Sequence, residues 1–210
     1  MSYERLTPQN TAVLLVDHQS GLSNGIQDQS LTEYISNVTA LIKLARAFKL
    51  PTIITASASD GPNGPILPFI TQILPDAPIV LRPGEINAWD NKAFVEAVKK
   101  TGRKKLIVAG VSTEVCVAFV ALSAIKEGYD VYAAIDCSGT WNKLVQEAAV
   151  ARMLQAGIVP ITWTAVGAEL QADWRNATGQ DLGAIMGEYL PFYGNVFASF
   201  SAAKGVAKAA

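Results

Sequence analysis

The chain has 210 residues, half of them apolar, with 17 Lys and Arg against 18 Asp and Glu and a net charge of −1. That is enough chain to bury one sizeable core, so a single domain is expected. Near-neutrality leaves no basic footprint for nucleic acid and no polybasic anchor for a membrane surface, which points to a small-molecule substrate or another protein chain as partner. The first residues, Met1-Ser-Tyr-Glu-Arg-Leu-Thr7, lack the basic start and apolar stretch of a secretory leader. No apolar run approaches the roughly 20 residues that span a bilayer. The two cysteines, Cys116 and Cys137, fall on different predicted elements. A cytoplasmic setting with free thiols is expected, and the sequons at Asn37 and Asn176 are chance matches.

In chain order, short apolar runs alternate with helical patterns. Strands are expected at Ala12–Val16, Thr52–Thr55, Ile79–Leu81, Lys105–Gly110, Val131–Ile135 and Val159–Trp163. Their hydrophobicity is continuous rather than alternating, as in strands covered on both faces. Helices are expected at Leu31–Phe48, Lys92–Thr101, Glu114–Glu127, Lys143–Ala156 and Ala165–Trp174. This β/α alternation predicts a three-layer α/β/α fold around a mainly parallel six-stranded sheet, in the Rossmann-like order 3-2-1-4-5-6. Two stretches break the rhythm. Ser59-Asp-Gly-Pro-Asn-Gly-Pro65 has neither G-x-G-x-x-G nor a Walker lysine, so it reads as an interface loop rather than a phosphate cradle. Residues 179–210 carry Phe192, Tyr193, Val196, Phe197 and Phe200, too apolar for a free tail, and are expected to form a helical extension at a homo-oligomer interface.

In a doubly wound sheet, chemistry gathers at the carboxyl ends of strands near the point where strand order reverses. Asp17, Arg82 and Cys116 all occupy strand ends, and strands one and four are neighbours in the expected order. Cys116 lies where Leu106-Ile-Val-Ala-Gly-Val-Ser-Thr-Glu-Val-Cys116-Val turns from strand to helix. With Ser112 or Thr113 as cap, the thiol would sit in the first helical turn, where the dipole is expected to lower its pKa. The competing reading is a buried cysteine acting as a small hydrophobe. Asp17 could take the thiol proton or merely end its strand. Arg82 could steady a thiolate or join a surface ion pair; it supplies charge and hydrogen bonds rather than a base.

The segments Leu14-Leu-Val-Asp17-His-Gln19, Arg82-Pro-Gly-Glu-Ile-Asn-Ala-Trp-Asp90 and Ala109-Gly-Val-Ser-Thr-Glu-Val-Cys116-Val resemble the isochorismatase-like cysteine hydrolases, and within them the YcaC-type branch. The resemblance covers nearly the whole chain, with residues 1–178 as the hydrolase domain. It implies an Asp-Lys-Cys catalytic triad falling on Asp17, Arg82 and Cys116, with arginine where the superfamily has lysine. It also implies a non-proline cis peptide at Val111–Ser112, an oxyanion hole from nearby backbone N–H groups, and assembly as a homo-oligomer such as an octamer. Substrate-binding or oxyanion candidates are Gln19, Asn87, Trp89, Val111, Ser112 and Thr113. Trp141 is a further aromatic candidate for the pocket wall. Glu114 reads as a first-turn carboxylate favourable to the helix dipole, Cys137 as inert, and His18 as a structural residue. No cofactor is expected. His18 is the only histidine, so the metal site of the family's nicotinamidases has no counterpart, and the presence of Cys116 argues against the vinyl-ether cleavage of true isochorismatases.

Three functions fit these residues. The first is a cofactor-independent hydrolase of a small, non-peptide C–N bond working through a Cys116 thioester. The second is a redox-responsive thiol protein, and the third a structural homo-oligomer whose apolar extension matters more than its pocket.

Overall fold

The computed structural model describes residues 3–205. Its centre is a six-stranded, all-parallel sheet in the order β3-β2-β1-β4-β5-β6. The strands are β1 (Thr11–Val16), β2 (Thr52–Ser57), β3 (Ile79–Arg82), β4 (Lys105–Gly110), β5 (Asp130–Ala134) and β6 (Val159–Ile161). Strands β1, β2 and β4 are buried along their whole length, as continuous hydrophobicity requires of a sheet covered twice. Helices α1 (Ser20–Ser23), α2 (Leu31–Ala47) and α3 (Pro68–Ile73) precede α4 (Lys92–Lys100), α5 (Ala118–Lys126) and α6 (Lys143–Gln155). Then come α7 (Trp163–Gln171), α8 (Gly179–Tyr189) and α9 (Pro191–Ala203).

Side chains alternate across the sheet and divide the interior in two. Val13 and Leu15 of β1 pack with Tyr34, Val38 and Leu41 of α2, together with α7 and α8. Ala12, Leu14 and Val16 face Phe94 and Val98 of α4 and the buried sides of α5 and α6. Each fully buried aliphatic chain contributes about 1.5–3 kcal/mol relative to exposure, so the two layers account for most of the cohesion. Local chemistry sets the helix starts. Ser30 and Glu33 form a reciprocal capping box at α2, and Asn91, Asn142 and Thr162 cap α4, α6 and α7.

Besides shifts of one or two residues at element ends, and edge strands β3 and β6 that are partly exposed rather than covered on both faces, the sequence-based expectation differs from the structure in the following places. The sixth strand ends at Ile161 rather than Trp163, because Thr162 caps α7 and the Trp163 indole turns inward to donate to Asn37 Oδ1 at 3.0 Å. Helix α7 stops at Gln171, where Ala172 takes φ 60°, instead of reaching Trp174. The expected single helix from Glu114 is a π-helical turn, Thr113–Val117, followed by α5. Two short helices, α1 and α3, have too few residues for a periodic pattern.

The extension divides in its behaviour. Leu182, Ile185 and Met186 of α8 are buried in the main core against α2. Helix α9 packs on α8 but leaves Phe192, Val196, Phe197 and Phe200 exposed. Residues 206–210 of the expected extension lie outside the described residues. Among the described residues no helix is long and apolar enough to cross a membrane.

Candidate active site at the carboxyl ends of the strands

Strands β1 and β4 pair directly, with Val16 opposite Gly110. A Cβ on Gly110 would stand 2.0 Å from the Val16 carbonyl oxygen, so only glycine lets the two strand ends approach this closely. The chain after β1 turns sharply at Asp17, whose φ is 58° and whose N–H donates to the Thr55 carbonyl at 2.9 Å. That turn leaves the Asp17 carboxylate at the seam between β1 and β4.

Arg82 ends β3 opposite Ser57 of β2 and reaches across β2 to the carboxylate. Its guanidinium is fully buried and spends its donors on three partners. Nη2 donates to Asp17 Oδ1, Nη1 to the Glu85 carbonyl, and Nε to Thr55 Oγ1 at 3.0 Å. Burial raises the Asp17 carboxyl above the usual carboxylate range, and Arg82 opposes that rise without cancelling it. The result is a carboxylate more basic than an exposed one.

Cys116 occupies the fourth position of the π-helical turn, partly exposed, with its thiol facing Asp17 closely enough that each perturbs the other. The dipole-based expectation of a lowered thiol pKa is overturned. Burial first, and the Asp17 charge second, push the thiol up; the Ser112 N–H and the Arg82 charge only moderate this. Two of the turn's amides are committed elsewhere, Thr113 N–H to the Gly139 carbonyl at 3.0 Å and Val117 N–H to the Ser112 carbonyl at 3.1 Å. Ser112 itself makes no side-chain cap. A resting thiol beside a basic carboxylate, rather than a standing thiolate, is what this geometry provides. The peptide between Val111 and Ser112 is cis.

Asp17 and Cys116 open onto a pocket of about 240 Å³. Ser57, Asn63, Ser112 and Glu114 supply its other polar lining. Leu22, Ile86, Val115 and Trp141 supply apolar walls. Trp141, half-buried, packs over Gly25, where a Cβ would fall 2.5 Å from the indole, and lines this space.

The other sequence-predicted residues distribute unevenly. Of the six substrate or oxyanion candidates, Ser112 lines the pocket. Gln19 is buried and structural: Nε2 donates to the Gly64 carbonyl at 2.6 Å and to the Ser57 carbonyl at 3.0 Å, while Oε1 accepts from Ser57 N–H at 3.1 Å. Asn87 and Trp89 turn away, a correction to the expectation that they flank the site. Asn87 donates to Ser123 Oγ at 3.0 Å and caps the turn holding Trp89, whose indole donates to Glu127 at 2.8 Å against Phe94 and Tyr129. The Val111 and Thr113 N–H groups donate to the Val16 and Gly139 carbonyls, so neither faces the thiol. His18 is buried, paired through Nδ1 with Tyr34 Oη at 2.6 Å, and burial pushes its pKa down to about 3. Cys137 is wholly buried, and burial raises its thiol well above the ordinary value. Among the described residues no cluster of three His, Cys, Asp or Glu side chains is placed to hold a metal ion.

Sequence reasoning missed Leu22, Ser57, Asn63 and Ile86. Asn63 belongs to the Pro- and Gly-rich loop read as an interface element. That loop folds back as the pocket rim, with its carbonyls at Asn63 and Pro65 accepting from Gly21 and Ser20 N–H at 2.9 Å.

The isochorismatase domain profile matches residues 11–165, a stretch holding all three strand-end motifs. The chain belongs to the isochorismatase family. Within that family, the probable hydrolase YcaC of Escherichia coli strain K12 is 50 % identical over 198 residues, spanning 94 % of this chain and 95 % of that one. The structure of YcaC from Pseudomonas aeruginosa with hexane-2,5-diol and covalent acrylamide superposes with a TM-score of 0.93 at 52 % identity, over 96 % of this chain and 99 % of that one. The Escherichia coli YcaC structure, described as an octameric hydrolase of unknown specificity, gives 0.93 at 50 % identity, over 96 % and 98 %.

Proposed function

We propose that the protein is a cofactor-independent cysteine hydrolase of small, non-peptide C–N bonds. The observation that carries this reading is the partly exposed Cys116 thiol facing a basic, buried carboxylate where both line one pocket. Asp17 takes the thiol proton as sulfur attacks the substrate carbonyl. The resulting oxyanion is held by backbone N–H groups of Val115 and Cys116, first-turn amides that donate to no carbonyl outside the turn among the described residues. The C–N bond then breaks, and Asp17 returns the proton to the departing amine, leaving a thioester on Cys116. Water next loses a proton to Asp17 and attacks the thioester. The acid departs and the sulfur recovers the proton. Arg82 keeps the carboxylate oriented throughout and takes no proton in any step.

Three further points support the reading. The 50 % identical relative is itself named a probable hydrolase. The Pseudomonas aeruginosa relative carries covalent acrylamide, an electrophile that bonds to nucleophiles and to thiolates above all. Cys137, by contrast, is wholly buried with the Asp136 carboxylate as its charged neighbour. We further propose that the chain works in the cytoplasm as a homo-oligomer, with the exposed α9 face joining copies and the octameric relative giving the expected size.

The test is intact-mass measurement of the full chain after exposure to a library of small amides and carbamates, with Cys116→Ser alongside. An acyl adduct on Cys116, absent from the serine variant and cleared on standing, is the expected result. The absence of any adduct, together with equal iodoacetamide labelling of Cys116 and Cys137, would overturn the proposal.

A further inference from the structure

The charges around the pocket do not cancel. Asp17 is matched by Arg82, whose three guanidinium nitrogens donate to Asp17, the Glu85 carbonyl and Thr55. Glu114 has no such partner. Among the described residues no lysine, arginine or histidine lines the space, so Glu114 leaves it with one uncompensated negative charge. Its carboxylate is held from one side only: Thr140 Oγ1, fully buried, donates to Glu114 Oε2 at 2.6 Å, and Oε1 accepts no hydrogen bond among the described residues. Thr140 is in turn fixed by its own N–H, which donates to Asp28 Oδ1 at 2.9 Å. The next residue, Trp141, is pinned over Gly25 and presents its ring to the same space.

A fixed carboxylate with an open oxygen and an aromatic face on one wall is the arrangement that holds a cationic nitrogen, through charge, hydrogen bonding and cation–π attraction together. It also disfavours substrates that carry a second, anionic group, because no cation in the lining offsets the charge of Glu114. We propose that Glu114, assisted by Trp141, is the specificity-determining residue of this site, selecting small substrates that carry a protonated amine. At about 240 Å³ the pocket holds roughly eight water-sized groups, which limits the substrate to an amine-bearing amide of about that many non-hydrogen atoms. This inference rests on the nucleophilic role given to Cys116 above.

Three alkylating agents of similar size and different charge separate the two claims: 2-bromoethylamine (cationic), iodoacetamide (neutral) and iodoacetate (anionic). In each, the Cys116 sulfur displaces the halide, and the rate is read by mass on the full chain for wild type and Glu114→Gln, a variant that still accepts from Thr140. The expected result is a fall of about tenfold or more with 2-bromoethylamine, a rise with iodoacetate, and a change within about twofold with iodoacetamide. Trp141→Leu lowers the 2-bromoethylamine rate while leaving iodoacetate unfavoured. Equal effects of Glu114→Gln on all three reagents would overturn the specificity role alone. No reaction of Cys116 with any reagent would overturn the nucleophile and this inference with it.

Discussion

Asp17 and Cys116 titrate as a pair. Burial raises the carboxyl, and burial together with the resulting carboxylate raises the thiol further, so the two protons leave in steps that belong to both groups. Between those steps the pair holds one proton. The fraction with that proton on Asp17 and a thiolate on sulfur is then independent of pH. Iodoacetamide labelling of Cys116 in the wild type is therefore expected to show a plateau with pH between the two steps. In Asp17→Asn the thiol ionises without a base, so labelling is slower at neutral pH and climbs by about tenfold per pH unit below the thiol's own pKa. A rate that climbs identically in both proteins would remove Asp17 from the base role. Arg82 makes a second prediction at this scale. Replacing it by methionine strands the buried Asp17 charge, and urea unfolding should show a loss of about 3–5 kcal/mol, with Arg82→Lys between the two.

At the scale of elements, the contact between β1 and β4 and the start of α7 are the places to press. Gly110→Ala puts a methyl group into the Val16 carbonyl, which should cost about 3 kcal/mol in denaturant unfolding and separate Asp17 from Cys116. Helix α7 begins over Asp136, whose carboxylate accepts the Trp163 N–H at 3.1 and 3.2 Å while burial pushes its pKa from 3.8 up to about 6. A raised carboxyl favours the folded state in its protonated form. Its contribution is complete below the unfolded value and is lost as pH rises through about 6. The difference in unfolding free energy between wild type and Asp136→Asn, read by urea denaturation, should accordingly change between pH 4 and pH 7.5 by an amount on the order of 3 kcal/mol for a shift of that size; a pH-independent difference would contradict it. These elements also show what the sequence could reveal. Strand order and the nearness of Asp17 to Cys116 were legible because right-handed β/α crossovers leave few topologies for six apolar runs. Asn63 and Ile86 were not, since loop residues come to a site through main-chain bonds such as Gly21 to Asn63 that no periodicity encodes. The direction of the Cys116 shift was misread for a related reason. A helix dipole is visible in a turn sequence, whereas the depth of burial and a neighbour's charge belong to the folded chain.

For the molecule as a whole, the two halves of the extension predict separable effects. Helix α8 is anchored by Leu182, Ile185 and Met186, while α9 shows its apolar side chains to solvent. The double change Phe197→Asp and Phe200→Asp should reduce the mass measured by light scattering to that of a smaller assembly, with the circular dichroism of the α/β body unchanged. An unaltered mass would place the contact between copies elsewhere. The second cysteine offers a different kind of readout. Cys137 lies at the end of β5 with 0 % exposure, its sulfur directed at the Asn37 carbonyl of α2 at 3.3 Å. No reagent reaches it unless α2 lifts from the sheet, so its labelling rate, divided by that of the same thiol in urea, gives the equilibrium constant for that opening. One polypeptide thus carries a gauge of its chemistry at Cys116 and a clock of its own cohesion at Cys137, both read in a single mass spectrum.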